Sequence, residues 1–217
     1  EKSVFSDALT ISSSRRFDTT RELAEKIEEL PWDRTPIVLA GGSFNTDKRS
    51  TRMTKEGIRQ LGELLEILNP DEVFFAVGSK LSGYEQYLID HNEKGFKVFA
   101  FVPSKITSAE KRRLLASPVS IRVSPEISPM GLYKSFDYEI FERRPSVTIV
   151  FDGNSAGSNL IQEAKNGKGR SEILIFEGCS HLRDKLLSLE GYAKSFGRHT
   201  SLSDRWKEYL RRSRSGE

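Results

Sequence analysis

Six short apolar runs recur along the chain: "PIVLAGG", "EVFFAVGS", "KVFAFVP", "VSIRVS", "SVTIVFDG" and "EILIFEG". Most are continuously apolar rather than alternating, the pattern of strands covered on both faces. Segments of helical pattern separate them. "TKEGIRQLGELLEIL" sets Ile58, Leu61, Leu65 and Leu68 on one face. "SGYEQYLIDHNEKG" does so with Tyr84, Tyr87 and Leu88, with Gly95 placed to end it, and "TSAEKRRLLAS" opens on a Ser/Thr cap. Strand and helix alternate, which predicts an α/β fold with a mainly parallel sheet of about six strands plus flanking helices.

Two ends lie outside the alternation. "FDTTRELAEKIEELP" predicts a helix leading into the first strand. "CSHLRDKLLSLEGYAKSFG" predicts one more helix after the sixth run, and "LSDRWKEYLRRSRSGE" a basic helical tail. The expected organisation is a lead-in over 1–35, one α/β domain over 36–197 and the tail over 198–217. At 217 residues, that is enough chain to bury a core without disulfides or metals. The single cysteine, Cys179, excludes an internal disulfide and fits a reducing compartment. No apolar run approaches the ~18 residues that span a bilayer, and "EKSVFSDALT" lacks the apolar stretch of a signal segment. A cytoplasmic protein with no membrane partner is expected. The net charge of +3 resides in the tail, where six Lys/Arg face three Asp/Glu; the preceding 197 residues balance at 28 against 28. A basic tail can touch phosphate backbones, but a solvated helix end is the commoner outcome, and the domain itself has no basic footprint.

In open α/β sheets ligands bind beyond the carboxyl ends of the strands. Small residues gather there. The first run ends in Gly41, Gly42 and Ser43; the second in Gly78, Ser79 and Lys80; the third in Pro103, Ser104 and Lys105. The fifth ends in Asp152, Gly153 and Asn154 and runs into the turn "SAGSN" (Ser155, Gly157, Ser158, Asn159); the sixth ends in Gly178, Cys179 and Ser180. Glycines admit a ligand close to the backbone, and free N–H groups at a helix start favour phosphate or carboxylate. Together these turns predict a phosphate-sized cradle. The dinucleotide fingerprint G-x-G-x-x-G and the Walker A loop are both absent, which argues against ordinary dehydrogenases and P-loop NTPases.

The turns resemble a known group. In the DNA-processing protein A family a strand is followed by S-G-S-L-I-T-A, a helix and a G-R-x-V-F strand entry. "SAGSNLIQEAKNGKGRSEILIF" follows that order, with Gly157, Ser158, Leu160, Ile161, Ala164 and the Gly169-Arg170 pair in fitting places. Upstream, "VFFAVGSKLSGYEQYLIDHNEKGFKVFAFVPS" and "IVLAGGS" look like the family's earlier strands and glycine turns. The chain thus resembles the SLOG superfamily, which joins that family to the cytokinin-activating LOG proteins, over roughly Pro36 to Gly178. The resemblance implies a Rossmann-like three-layer fold that binds a nucleotide-derived ligand.

Departures bear on activity. LOG-type phosphoribohydrolases carry P-G-G-x-G-T-x-x-E, with the glutamate four residues after the last glycine. Four residues after Gly157 is Ile161, which can neither accept a proton nor stabilise a sugar cation. Glu163, two residues on, lies about 200° around the helix from it. "IVFDGNSAGS" also looks like the turn of nucleoside deoxyribosyltransferases, whose nucleophilic glutamate Ile161 likewise lacks. Where the DNA-processing proteins carry R-N-R, "SFDYEIFERRP" offers Asp137 and Glu139 before reaching Arg143 and Arg144.

Of the remaining candidates, Lys80 is the preferred cation, because it follows a glycine turn at the expected edge. Glu85 is either a cleft carboxylate, as acid, base or ribose-hydroxyl acceptor, or an exposed charge on an amphipathic helix, the commoner outcome. Arg143 and Arg144 either clamp a phosphate or simply end a helix; Tyr84 and Tyr87 either stack on a base or belong to a core face. His91, His181 and His199 have no metal-like spacing, and Cys179 is more often a packed small thiol than a nucleophile. The expectation is a SLOG-type binding module, a sensor of a nucleotide signal such as some members use in antiphage defence, with no metal or cofactor and self-association left open. The alternatives are an enzyme acting at a nucleotide's N-glycosidic bond, phosphoribohydrolase-like or deoxyribosyltransferase-like, and single-stranded DNA binding.

Overall fold

The computed structural model of the chain describes residues 20–41, 53–125, 132–152, 155–179 and 191–216. Among these, seven strands form one sheet: β1 (Thr35–Ala40), β2 (Val73–Val77), β3 (Val98–Val102), β4 (Ser120–Val123), β5 (Ser146–Val150), β6 (Ser171–Phe176) and β7 (Ala193–Phe196). The order is β4-β3-β2-β1-β5-β6-β7, and every neighbouring pair is parallel. The fold is α/β and Rossmann-like, with three layers. All six apolar runs become strands. The sheet has one strand more than expected, because Ala193–Phe196, expected within a helix, pairs along β6 instead.

Helices cover both faces, as continuously apolar strands require. They are α1 (Thr20–Ala24), α2 (Lys55–Ile67), α3 (Tyr84–Asp90), α4 (Ser108–Ala116), α5 (Leu132–Phe136), α6 (Ser155–Asn166) and α7 (Leu202–Ser215); a π-helical turn (Asp137–Phe141) follows α5. Alternate strand residues divide between two cores. One packs Ile37, Leu39, Phe75 and Val77 against Leu61, Leu64 and Leu88 of α2 and α3, and against Leu202 and Trp206 of α7. The other packs Val38, Phe74, Phe99 and Ile175 against Phe136, Ile140, Leu160 and Ile161. Burying each such side chain contributes about 1.5–3 kcal/mol.

Helix starts follow local chemistry. Thr54 caps α2 through the Gly57 N–H, and Thr107 with Glu110 forms a reciprocal capping box at α4. Two boundaries differ from expectation. The lead-in helix is helical only to Ala24, after which Ile27 bridges Ile121 at the β4 edge. Helix α3 ends at Asp90, and Gly95 closes the turn beyond it, donating to the Asn92 carbonyl at 3.2 Å. The basic tail is a docked helix: Leu202 N–H donates to Gln60 Oε1 at 2.7 Å, and Arg212 pairs with Glu172. Among the described residues no helix is long and apolar enough to cross a membrane.

Candidate functional site

Strands to the two sides of the β1/β5 boundary wind outward in opposite directions, so the chain leaves β1 and β5 towards opposite faces. A crevice opens at such a reversal, beyond the carboxyl ends of the two strands. Gly41 follows β1 and Asp152 follows β5 by two residues. Gly42, Ser43 and Gly153 lie outside the described residues, as do Ser180 and His181.

The floor of this edge is aromatic. Tyr84, from the start of α3, is fully buried and stacks on Phe151 with ring centroids 4.3 Å apart. Its N–H donates to the Gly41 carbonyl at 3.2 Å, and its hydroxyl accepts from the Thr54 N–H at 3.1 Å. Tyr84 therefore belongs to the core and is no base-stacking platform. Its ring also explains Gly41. A Cβ there would lie 2.9 Å from Tyr84 Cδ2 and 3.2 Å from Phe151 Cβ, and the backbone has φ +153°.

Glu85 follows Tyr84 in α3 and turns to the end of β2. Expected more often to be an exposed charge, it is only 6% exposed. Gly78 N–H donates to its Oε1 at 3.4 Å, and the Leu81 N–H also reaches the carboxylate. Burial pushes its pKa up to about 7, against the pull of those two amides and of Lys80. A carboxyl poised near neutrality can donate or accept a proton, or hydrogen-bond a sugar hydroxyl in either state. The spacing held a signal for this: Leu88 and Ile89, three and four residues on, are both buried, so Glu85 shares their face.

The loop around Glu85 is tightly held. Leu81 has φ 50° and Gly83 φ 60°, and Arg113 donates to the Lys80 carbonyl at 2.7 Å. Ser79 is buried, while Lys80 is exposed. Across the β1/β5 boundary, Asp152 is buried and accepts from Cys179 Sγ at 3.4 Å. Cys179 is thus a packed thiol whose partner is an acid at the end of the neighbouring strand, a juxtaposition that spacing did not reveal.

The segment "SAGSN" is not a turn before a helix; it is the first turn of α6. Gly157 is buried there, Ser158 half-buried and Asn159 exposed, with Ser155 in the opening position. The first amide N–H groups of a helix have no partner within it and favour an anion. Ile161 points into the core with Leu160 and Ala164, away from any ligand.

No protein-family model, curated protein or solved structure matches this chain.

Other candidates fall away from the crevice. Arg143 sits over the Trp32 ring at 4.9 Å, and Arg144 donates to the Trp32 carbonyl. Both precede β5, at the opposite edge. Tyr87, two residues from Glu85 and so on the other side of α3, stacks on His91 at 3.9 Å. Among the described residues, no group of three or more His, Cys, Asp or Glu side chains could hold a metal ion.

Proposed function

We propose that this chain is a SLOG-type binding module that captures a nucleotide-derived ligand at the carboxyl edge of the sheet and serves as a sensor. One observation carries the reading: the reversal of strand order falls between β1 and β5, the strands that end in Gly41 and Asp152. The small-residue start of α6 follows β5, and the exposed Lys80 and the buried Glu85 lie beyond the carboxyl end of β2, the neighbour of β1. The α6 amides suit a phosphate, and Glu85 suits a ribose hydroxyl.

A thermal-shift screen tests this with mononucleotides, NAD-derived cyclic nucleotides, cyclic dinucleotides and a short single-stranded DNA. A ligand at a hundred times its Kd adds about 2.7 kcal/mol, several degrees for a two-state unfolding. One nucleotide hit, recovered chemically unchanged, is expected. Lys80→Ala and Asn159→Glu, both at exposed positions, should abolish that shift without loss of fold. Normal binding by Asn159→Glu would overturn the reading.

A second reading rests on Glu85 itself. A buried carboxyl with a pKa near 7 is suited to acid–base work at an N-glycosidic bond. A hit that returns cleaved, with cleavage lost in Glu85→Gln, would favour this enzyme. A shift from DNA alone that falls steeply with salt would mean a single-strand binder.

A further inference from the structure

At the amino edge of the sheet, opposite the crevice, lies a second concavity of about 440 Å³. Pro145 and Ser171, at the entries to β5 and β6, form one side, and Tyr209, Arg212 and Ser213 of α7 form the other. Its volume falls in the range of small-molecule sites.

The charges lining it are unequal in their freedom. Glu172 is engaged: Arg212 Nη2 donates to it at 2.6 Å, Arg212 Nη1 at 3.3 Å, and Lys194 Nζ lies 2.9 Å away. That pairing uses two of the five N–H groups of Arg212 and fixes the plane of its guanidinium. Arg170 stands apart. It is exposed, lines the concavity, and its side chain makes no hydrogen bond or ion pair among the described residues. Arg144 lies close enough for its charge to act on the Tyr209 phenol, and its Nε is buried without a partner among the described residues.

Arg170 also occupies a position that its side chain disfavours. Its φ is 59°, in the left-handed region where glycine or asparagine is at ease. The turn cannot relax. Gly169 N–H donates to the Phe141 carbonyl at 2.6 Å, Ser146 N–H donates to the Arg170 carbonyl at 3.3 Å, and a Cβ on Gly169 would lie 2.5 Å from the Arg144 carbonyl oxygen. An arginine held at a glycine-favouring position, unpaired beside a concavity, is a strained residue of the kind that marks function.

We propose that this concavity is an anion site, separate from the carboxyl-edge crevice, in which Arg170 and the free N–H groups of Arg212 grip a phosphoryl-bearing small molecule. On the facing helix Tyr209 and Ser213 line the concavity as a linked pair, the Ser213 hydroxyl bonding the Tyr209 phenol. Arginine suits the task because its planar fork meets two phosphate oxygens at once.

The test is calorimetric titration of the full chain with inorganic pyrophosphate at low salt. Arg170→Gly removes the cation while relieving the backbone, so it should leave Tm unchanged or raised and weaken pyrophosphate binding at least tenfold. Arg170→Asn, also tolerant of that backbone region, should do the same. Arg112→Ala, which removes an exposed cation of α4 away from the concavity, should bind pyrophosphate like the unaltered chain. The proposal is overturned if the unaltered chain binds no pyrophosphate at millimolar concentration, if both Arg170 variants bind as well as it does, or if Arg112→Ala weakens binding as much as they do.

Discussion

Glu85 and Glu172 are carboxylates of one sheet, the first beyond the end of β2 and the second just inside β6, and burial acts on both. At Glu85 burial prevails over two backbone amides and Lys80, and the pKa rises to about 7. At Glu172 burial also pushes upward, but hydrogen bonds and charge from Arg212 and Lys194 outweigh it and hold the carboxyl below its usual range. Direct cation partners make the difference. The amino edge supplies them from α7 and β7, whereas the carboxyl edge meets its acid with backbone N–H groups and a lysine at the rim. Paired cations hold Glu172 ionised, whereas Glu85 is left an uncomfortable carboxyl, as groups in ligand sites often are.

The strongest way to break this contrast is to remove the buried ring of the residue that precedes Glu85 in α3. Tyr84→Ala deletes a fully buried ring stacked on Phe151 and should destabilise the chain by about 3–5 kcal/mol in urea unfolding. A loss below about 1 kcal/mol would mean that the carboxyl edge does not depend on this ring.

Next in size is the pH dependence of Glu85. Its folded pKa lies above the unfolded reference of 4.5, so its contribution is present below 4.5 and is lost as pH rises through about 7. Glu85→Gln should therefore gain stability relative to the unaltered chain between pH 5 and 8, on the order of 2–3 kcal/mol. Parallel stability curves for the two proteins would show that the carboxyl is not buried in solution.

The smallest effect belongs to Glu172, with the opposite sign. Its folded pKa is depressed, so its contribution is present above 4.5 and is lost as pH falls through the lower folded value. Glu172→Gln should cost about 1 kcal/mol at pH 7, and that deficit should shrink in acid and in high salt. A deficit that grows in acid would invert the comparison between the two edges.

Much of the fold is legible along the chain because the physics that makes it is local. Continuous apolar runs predict doubly covered parallel strands, and six of the seven strands follow from them. Thr107 and Glu110, three apart ahead of "KRRLLA", form the capping box that this spacing favours. Strand β7 escapes such reading. "AKSF" carries Lys194 and Ser195 at an edge, where Lys194 reaches Glu172 and Arg205 covers the Ser195 carbonyl at 2.8 Å. A short, polar edge strand is held by its neighbour rather than by its own composition. "SAGSN" misleads for a related reason: glycine and serine disfavour helix in isolation, yet α6 begins there because Leu160, Ile161 and Ala164 bury one face against the sheet.

The site divides along the same line. Sequence by itself determined that small residues and a lysine follow the strands, and that no glutamate occupies the position of Ile161; these are matters of order along the chain. Tertiary structure decided which of those strand ends meet. The strand order brings Gly41 beside Asp152, sets Cys179 against that acid, and turns Glu85 from a helix-surface charge into a buried carboxyl. It also sends Arg143 and Arg144 to the far edge. Strand order, burial and the pairing of charges arise from residues distant in sequence, so periodicity and propensity carry little of them.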